Sequence, residues 1–268
     1  MADVYVTSWQ EFLQAILVSG DTVHCPENAI WDMNDIEPEG HSGTLRFECD
    51  NVYGNGTTIK NMMHSGSIQF QQDFQAAESL NWENLVISYG SFFVRDGSET
   101  YSKESCSKFR MCKISGITSG TDYSLDFAKN FVFHRCSFNV EASTSTRFYI
   151  PLGMEYCNFI ANWPSARAIA QASNAVPGAS SPYFSSLIIT APSVTWDSTS
   201  NNATACIFKG RKDRAEGISN ANTQYPSLYS LDDYPAMAQP GTSMIGVTEA
   251  QLKDAAYLSS IGFPIGVD

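Results

Sequence analysis

The chain carries little charge. Only 16% of its 268 residues are Asp, Glu, Lys or Arg, against about 25% in an average soluble protein. Basic residues are the scarcer kind: 16 Lys and Arg face 28 Asp and Glu, a formal net charge of −12. Phosphate binding needs a basic field. The one short basic run, Gly210–Arg214, contains its own Asp213. Nucleic acid is therefore not expected as a partner, whereas a cationic protein surface suits the charge. No stretch approaches the roughly 20 apolar residues of a membrane helix, so no membrane insertion is expected. The opening MADVYVTSW lacks the basic and apolar blocks of a secretory signal, and the expected place of synthesis is a cytoplasm.

Chemistry-bearing motifs are equally sparse. The seven cysteines, Cys25, Cys49, Cys106, Cys112, Cys136, Cys157 and Cys206, include no C-x-x-C pair, which argues against zinc. Their odd number argues against a full disulfide framework. His24, His41, His64 and His134 show neither H-x-x-x-H nor H-E-x-x-H spacing. His134 stands two residues before Cys136, so strand alternation would put both on one face, where a Cys–His pair is conceivable. G-x-S-x-G and G-x-x-x-x-G-K-[ST] are missing. Asp232-Asp233 is the one adjacent Asp pair and reads as a solvated turn. No catalytic residue, metal ligand or cofactor is expected.

What is present is a β-rich pattern behind one amphipathic helix. Hydrophobic residues make up 43% of the chain, enough for a core. Ser8 and Glu11 form a capping-box spacing, and Trp9, Phe12, Leu13, Ile16 and Leu17 fall on one helical stripe that ends at Gly20. Thr22–Cys25 follows as a strand. From Gly43 to about Phe208, short apolar runs alternate with polar, Gly-rich turns; Ser165–Ala175 alone suggests one or two helical turns.

A weak internal repeat organises these runs. FRMCKI, FHRCSF and EYCNF each place a cysteine two residues before an apolar residue, at Cys112, Cys136 and Cys157. Asn61 and Asn84 look like the same slot upstream. The steps from 61 to 84, 112, 136 and 157 are 23, 28, 24 and 21 residues. That period matches one coil of a single-stranded right-handed parallel β-helix, whose equivalent inward residues stack at about 4.8 Å. The five residues are expected in one interior column, the cysteines as inert thiols or, since stacked positions come within bridging distance, as disulfides. An antiparallel sandwich is the competing fold, with Asn55-Gly56 as its hairpin turn; the same residues fit a corner of the β-helix.

The helix, the G-N-G-T-T-I turn-strand at Gly54–Ile59 and the cysteine coils resemble the pectate-lyase-like right-handed parallel β-helix superfamily over roughly Val6 to Phe208. The resemblance implies an all-β fold with an N-terminal amphipathic capping helix. It does not imply an activity, because this fold hosts lyases, hydrolases, phage tailspikes and passive structural proteins. The W-I-D-H and R-x-P-x-x-R strings of the lyases are absent, as are H-G and R-I-K of the hydrolases. The tail resembles endings that follow β-helices in bacterial and phage proteins: Thr248 and Gln251 form a second capping box, and Leu252, Ala255, Ala256 and Leu258 give a short helix ending at Gly262.

The division expected is 1–21 strand and capping helix, 22–208 β-helix, and 209–268 loop or arm with a C-terminal docking helix. Aromatics on flat sides are candidate contacts for a partner or glycan: Trp82, Tyr89, Trp163 and Trp196 foremost, with Trp31 and Tyr101. Together these features suggest a non-enzymatic virion structural protein of a bacteriophage: a capsid decoration, a fibre part or a tail-associated adhesin. Its expected partners are other virion proteins or copies of itself, and a host-surface glycan. The alternatives are a polysaccharide lyase or glycoside hydrolase, and a carbohydrate-binding module on a bacterial surface.

Overall fold

The structure is a computed structural model. It describes residues 2–71, 74–87, 92–94, 107–118, 131–142, 148–149, 153–162, 169–170, 183–185, 188–191, 202–204, 207–210, 226–232 and 244–263. Among these, strands dominate and every strand pairing is parallel. The hairpins of an antiparallel sandwich are not seen among the described residues.

Three sheets are built in rotation. Asp3–Tyr5 is the end strand of the first sheet, and the first full circuit runs through Thr22–His24, Ile30–Asp32 and Leu45–Phe47 in the first, second and third sheet. Asn51–Tyr53, Thr58–Lys60 and Ile68–Phe70 follow, then Ala76–Glu78, Asn81–Ile87 and Phe92–Val94. Each strand lies in register on the equivalent strand of the circuit before. The first sheet then continues through Ser107–Arg110 and Phe131–His134, the second through Lys113–Thr118, Ser137–Ala142 and Asn158–Asn162.

Alternation along each strand sends one set of side chains inward. Val23, Val52, Ala77, Phe109 and Phe133 form the inward row of the first sheet, and Trp31, Ile59, Trp82, Ile114 and Phe138 that of the second; all are buried. Aromatic rings fill the space between. Phe47 stacks on Phe70 at 4.6 Å, Phe109 lies 5.0 Å from Phe133, and Phe133 meets Phe138 edge-on at 4.9 Å.

The helix spans Trp9–Ala15 and closes one end of this interior. Ser8 accepts from the Glu11 backbone N–H at 3.3 Å, while the Glu11 carboxylate accepts from the Thr7 N–H at 2.7 Å. The reciprocal bond thus reaches one residue further back than a capping box. Trp9, Phe12 and Ile16 are buried against Trp31 and Phe47. Leu17, expected on the buried stripe, is 52% exposed, because the helical turn has ended before it.

The expected single column proves to be two. Trp82 pairs with Ile114 across the second sheet, so Leu80, two residues earlier, stands opposite Cys112. Cys112, Cys136 and Cys157 do stack inward. Asn61 and Asn84 stand four residues past that slot, not buried, in a ladder of their own: Asn84 donates to Asn61 at 3.1 Å and Asn61 to Asp32 at 2.9 Å.

At the far end, two strands lie within the segment read as a loop. Ser227–Ser230 and Met244–Val247 extend the second sheet. The tail helix is two, Glu249–Leu252 and Ala255–Ser260, because the Asp254 side chain accepts from the N–H groups of Ala256 and Tyr257 and starts a new one. Thr248 and Gln251 make the full capping box. Leu258 packs with Leu228 and Val247. Ile169–Ala170, inside the expected helical turns, is a strand paired with Phe148–Tyr149.

Candidate functional site

Side chains that alternate with the inward row face outward. In the second sheet Asn81, Glu83, Lys113, Ser115, Ser137, Asn139 and Asn158 border a groove of about 390 Å³, which runs over the strand segments that carry the inward-facing Trp82, Ile114 and Phe138. The local sequence explains its position. In each of the later circuits the stacked cysteine is followed by an outward residue at +1, and in two of them by another at +3: Lys113 and Ser115, Ser137 and Asn139, then Asn158. Parallel register sets these positions side by side.

The border is fixed by its own hydrogen bonds. Asn81 accepts from the Lys113 backbone N–H at 3.0 Å and donates to the Gly56 carbonyl at 3.4 Å, bridging three circuits. Ser115 accepts from the Asn84 N–H at 3.3 Å. Glu83 is the one carboxylate among the described residues of the border, and Lys60 lies 3.6 Å from it. The groove therefore presents mostly neutral amides and hydroxyls on a rigid floor, a surface suited to hydroxyl-rich or amide-rich ligands. Among its described residues it does not bring together the two carboxylates across one bond that glycoside hydrolysis uses.

Beside it runs the acid–amide ladder. Hydrogen bonds from Asn61 and the Asn34 N–H hold the Asp32 carboxyl below its usual range. Asn61 and Asn84 both have left-handed backbone, φ 58° and 54°, a conformation Asn tolerates better than other side chains.

A second cluster lies under the capping helix. Glu37 accepts from the Trp9 indole N–H at 2.8 Å and lies 2.9 Å from His41 Nδ1. The His41 ring stacks on His64, centroids 5.3 Å apart. His64 is 1% exposed and its Nδ1 has no hydrogen-bond partner. Burial pushes its pKa below the ordinary imidazole value.

The cysteine row is buried and bonded internally. Each thiol donates to the carbonyl of an inward residue one strand back: Cys112 to Ala77 at 3.6 Å, Cys136 to Phe109 at 3.5 Å, Cys157 to Phe133 at 3.4 Å. Burial pushes the Cys112 thiol well up, whereas at Cys136 the hydrogen bonds with Cys112 and Cys157 outweigh burial and hold the thiol below its ordinary value; Cys25 and Cys49 are pushed up to about 12. All five described cysteines are free thiols. His134 and Cys136 do not share a face: left-handed Arg135, φ 54°, turns the chain between them.

The aromatics expected as contacts fare differently. Trp82 and Trp31 are core residues, 2% and 5% exposed, because they occupy the inward phase of the second sheet. Tyr89, Trp163, Trp196 and Tyr101 lie outside the described residues. Asp232 caps the tail helix by accepting from the Glu249 N–H at 2.9 Å. Of the residues along the groove, Trp82 alone was singled out in the sequence as a contact, and its side chain points inward; the polar residues at +1 after each stacked cysteine, and at +3 after Cys112 and Cys136, were the signal that marks part of the border.

Compared with protein-family models, curated proteins and solved structures, the chain matches none.

Proposed function

We propose that the chain is a right-handed parallel β-helix serving as a rigid, non-enzymatic structural protein of a bacteriophage particle. In this reading it is a capsid decoration, a fibre part or a tail-associated adhesin, and the groove on the second sheet is its contact for a neutral glycan. The rotation of the chain through three parallel sheets supports the coiled fold. The observation that carries the function is the groove border: amides and hydroxyls from successive circuits, held in register, with Glu83 as the single carboxylate among the described residues. Such a surface offers paired donors and acceptors to sugar hydroxyls without machinery to cleave between them. A stacked solenoid also carries load along its axis, because each circuit is hydrogen-bonded to its neighbours throughout.

Two measurements test this. Mass spectrometry of purified particles is expected to find the chain in fixed stoichiometric copy number; its absence from particles would overturn the structural role. Titration with neutral and uronic-acid oligosaccharides is expected to show binding of the neutral ones, weakened tenfold or more by Asn139→Leu. Depolymerisation of either substrate would favour the lyase or hydrolase reading instead. Recovery of the chain on bacterial envelopes, with glycan binding intact, would favour the surface binding module.

A further inference from the structure

The end of the stack under the capping helix has an open edge. Among the described residues, strand Asp3–Tyr5 is the terminal strand of the first sheet and pairs on one side, with Thr22–His24. The Val6 N–H donates to the His24 carbonyl, and the Ala2 carbonyl accepts from the Thr22 N–H. Backbone groups alternate in direction along a strand, so the N–H and C=O of Asp3 and Tyr5 point to the free side. Unpaired edges of this kind are templates for a further strand.

An aromatic ladder stops at the same place. Tyr53 stacks on His24 at 5.2 Å and His24 on Tyr5 at 4.6 Å. Tyr5 is 74% exposed, so its outer ring face is open where the next ring of the ladder would sit. The Asp3 carboxylate, 67% exposed, lies beside it on His24 Nε2. Leu17, Val18 and Ile30, all about half or more exposed, belong to the same terminal circuit. Charge is one-sided: residues 2–45 contain eight Asp or Glu and no Lys or Arg.

We propose that the free edge of Asp3–Tyr5 receives an extended, basic segment of a partner protein, which adds as a strand and sets an arginine or lysine on the open face of Tyr5. Main-chain hydrogen bonds supply the docking mode. The Tyr5 ring face and Asp3 recognise the cation. A second copy is the poorer occupant, because two acidic ends would face each other. The inference concerns the end of the stack and not the groove, so it stands or falls apart from the particle assignment.

The probe is a nine-residue peptide of alternating Arg and Val, with a Glu and Val counterpart, titrated against the full chain and read by backbone amide shifts. The Arg peptide is expected to shift the amides of Asp3 and Tyr5. Tyr5→Ala is expected to weaken it at least tenfold with an unchanged far-ultraviolet circular dichroism spectrum. Because Tyr5→Ala leaves the charge intact, unspecific adhesion to an acidic protein would not respond to it. Asp3→Lys is expected to weaken the peptide similarly. No binding of the Arg peptide, equal binding of the Glu peptide, shifts confined to other acidic surfaces, or a homodimer abolished by Tyr5→Ala would each overturn the proposal.

Discussion

Met111 has left-handed backbone, φ 52°, and its side chain is 44% exposed. It sits in a row of such corners with Asn28, Asn55, Ser79, Arg135 and Tyr156, each turning the chain from the first sheet into the second. An L residue there costs roughly 1–2 kcal/mol, less for Asn. Met111→Asn is therefore expected to raise stability by about 0.5–1 kcal/mol, seen as a higher urea midpoint; a lower midpoint would show that Met111 makes a contact worth more than its strain. Cys136 is the opposite case. Cys112 and Cys157 flank it in the row, and the space is filled. Cys136→Leu is expected to cost about 1–3 kcal/mol by overpacking. The native thiols are also expected to resist a disulfide reagent until the protein unfolds. At this scale the sequence was readable where residue type follows burial: Cys112, Cys136 and Cys157 were placed correctly from their spacing. Asn61 and Asn84 were not, because a left-handed corner and an inward slot both recur once per circuit, and a period alone does not reveal the phase.

Elements rise or fall on what they cover. The capping helix is seven residues long, too short to persist alone, so its stability comes from Trp9, Phe12 and Ile16 against the first circuits. Phe12→Ala is expected to cost about 3–5 kcal/mol and to lower the midpoint of the whole chain, whereas Ser8→Ala is expected to cost about 1 kcal/mol. Beneath the helix, His64 gives the fold a pH dependence with a definite sign. Its folded pKa lies below the unfolded one of 6.5, so its contribution is complete above that value and is lost as pH falls through the folded pKa. Stability is expected to drop on acidification from neutral pH, and His64→Phe to flatten that slope in urea titrations; an unchanged slope would place the titration elsewhere. The helix was legible from its stripe and cap. Strands Ser227–Ser230 and Met244–Val247 were not, because four residues in a proline-containing segment carry too little alternation to separate a strand from a loop.

The described residues form a set of rows repeated circuit by circuit. Inward rows are apolar, corner rows are left-handed, and outward rows carry whatever the circuit presents: amides and hydroxyls at the groove, stacked rings and carboxylates at the capped end. This explains why single aromatic residues were poor guides to a contact surface. Trp82 and Asn81 are neighbours in sequence, yet one is core and the other borders the groove; the phase of the strand decides, and residue type does not. The row geometry is testable without reference to function. Spin labels introduced by a non-cysteine handle at Tyr53, paired in turn with Glu78, Arg110 and His134, report distances along one outward row of the first sheet. Parallel stacking predicts separations that grow by about 4.8 Å per step, in that order. A His134 label nearer to Tyr53 than the Arg110 label, or no ordered progression, would contradict the stacked arrangement on which both proposed surfaces stand.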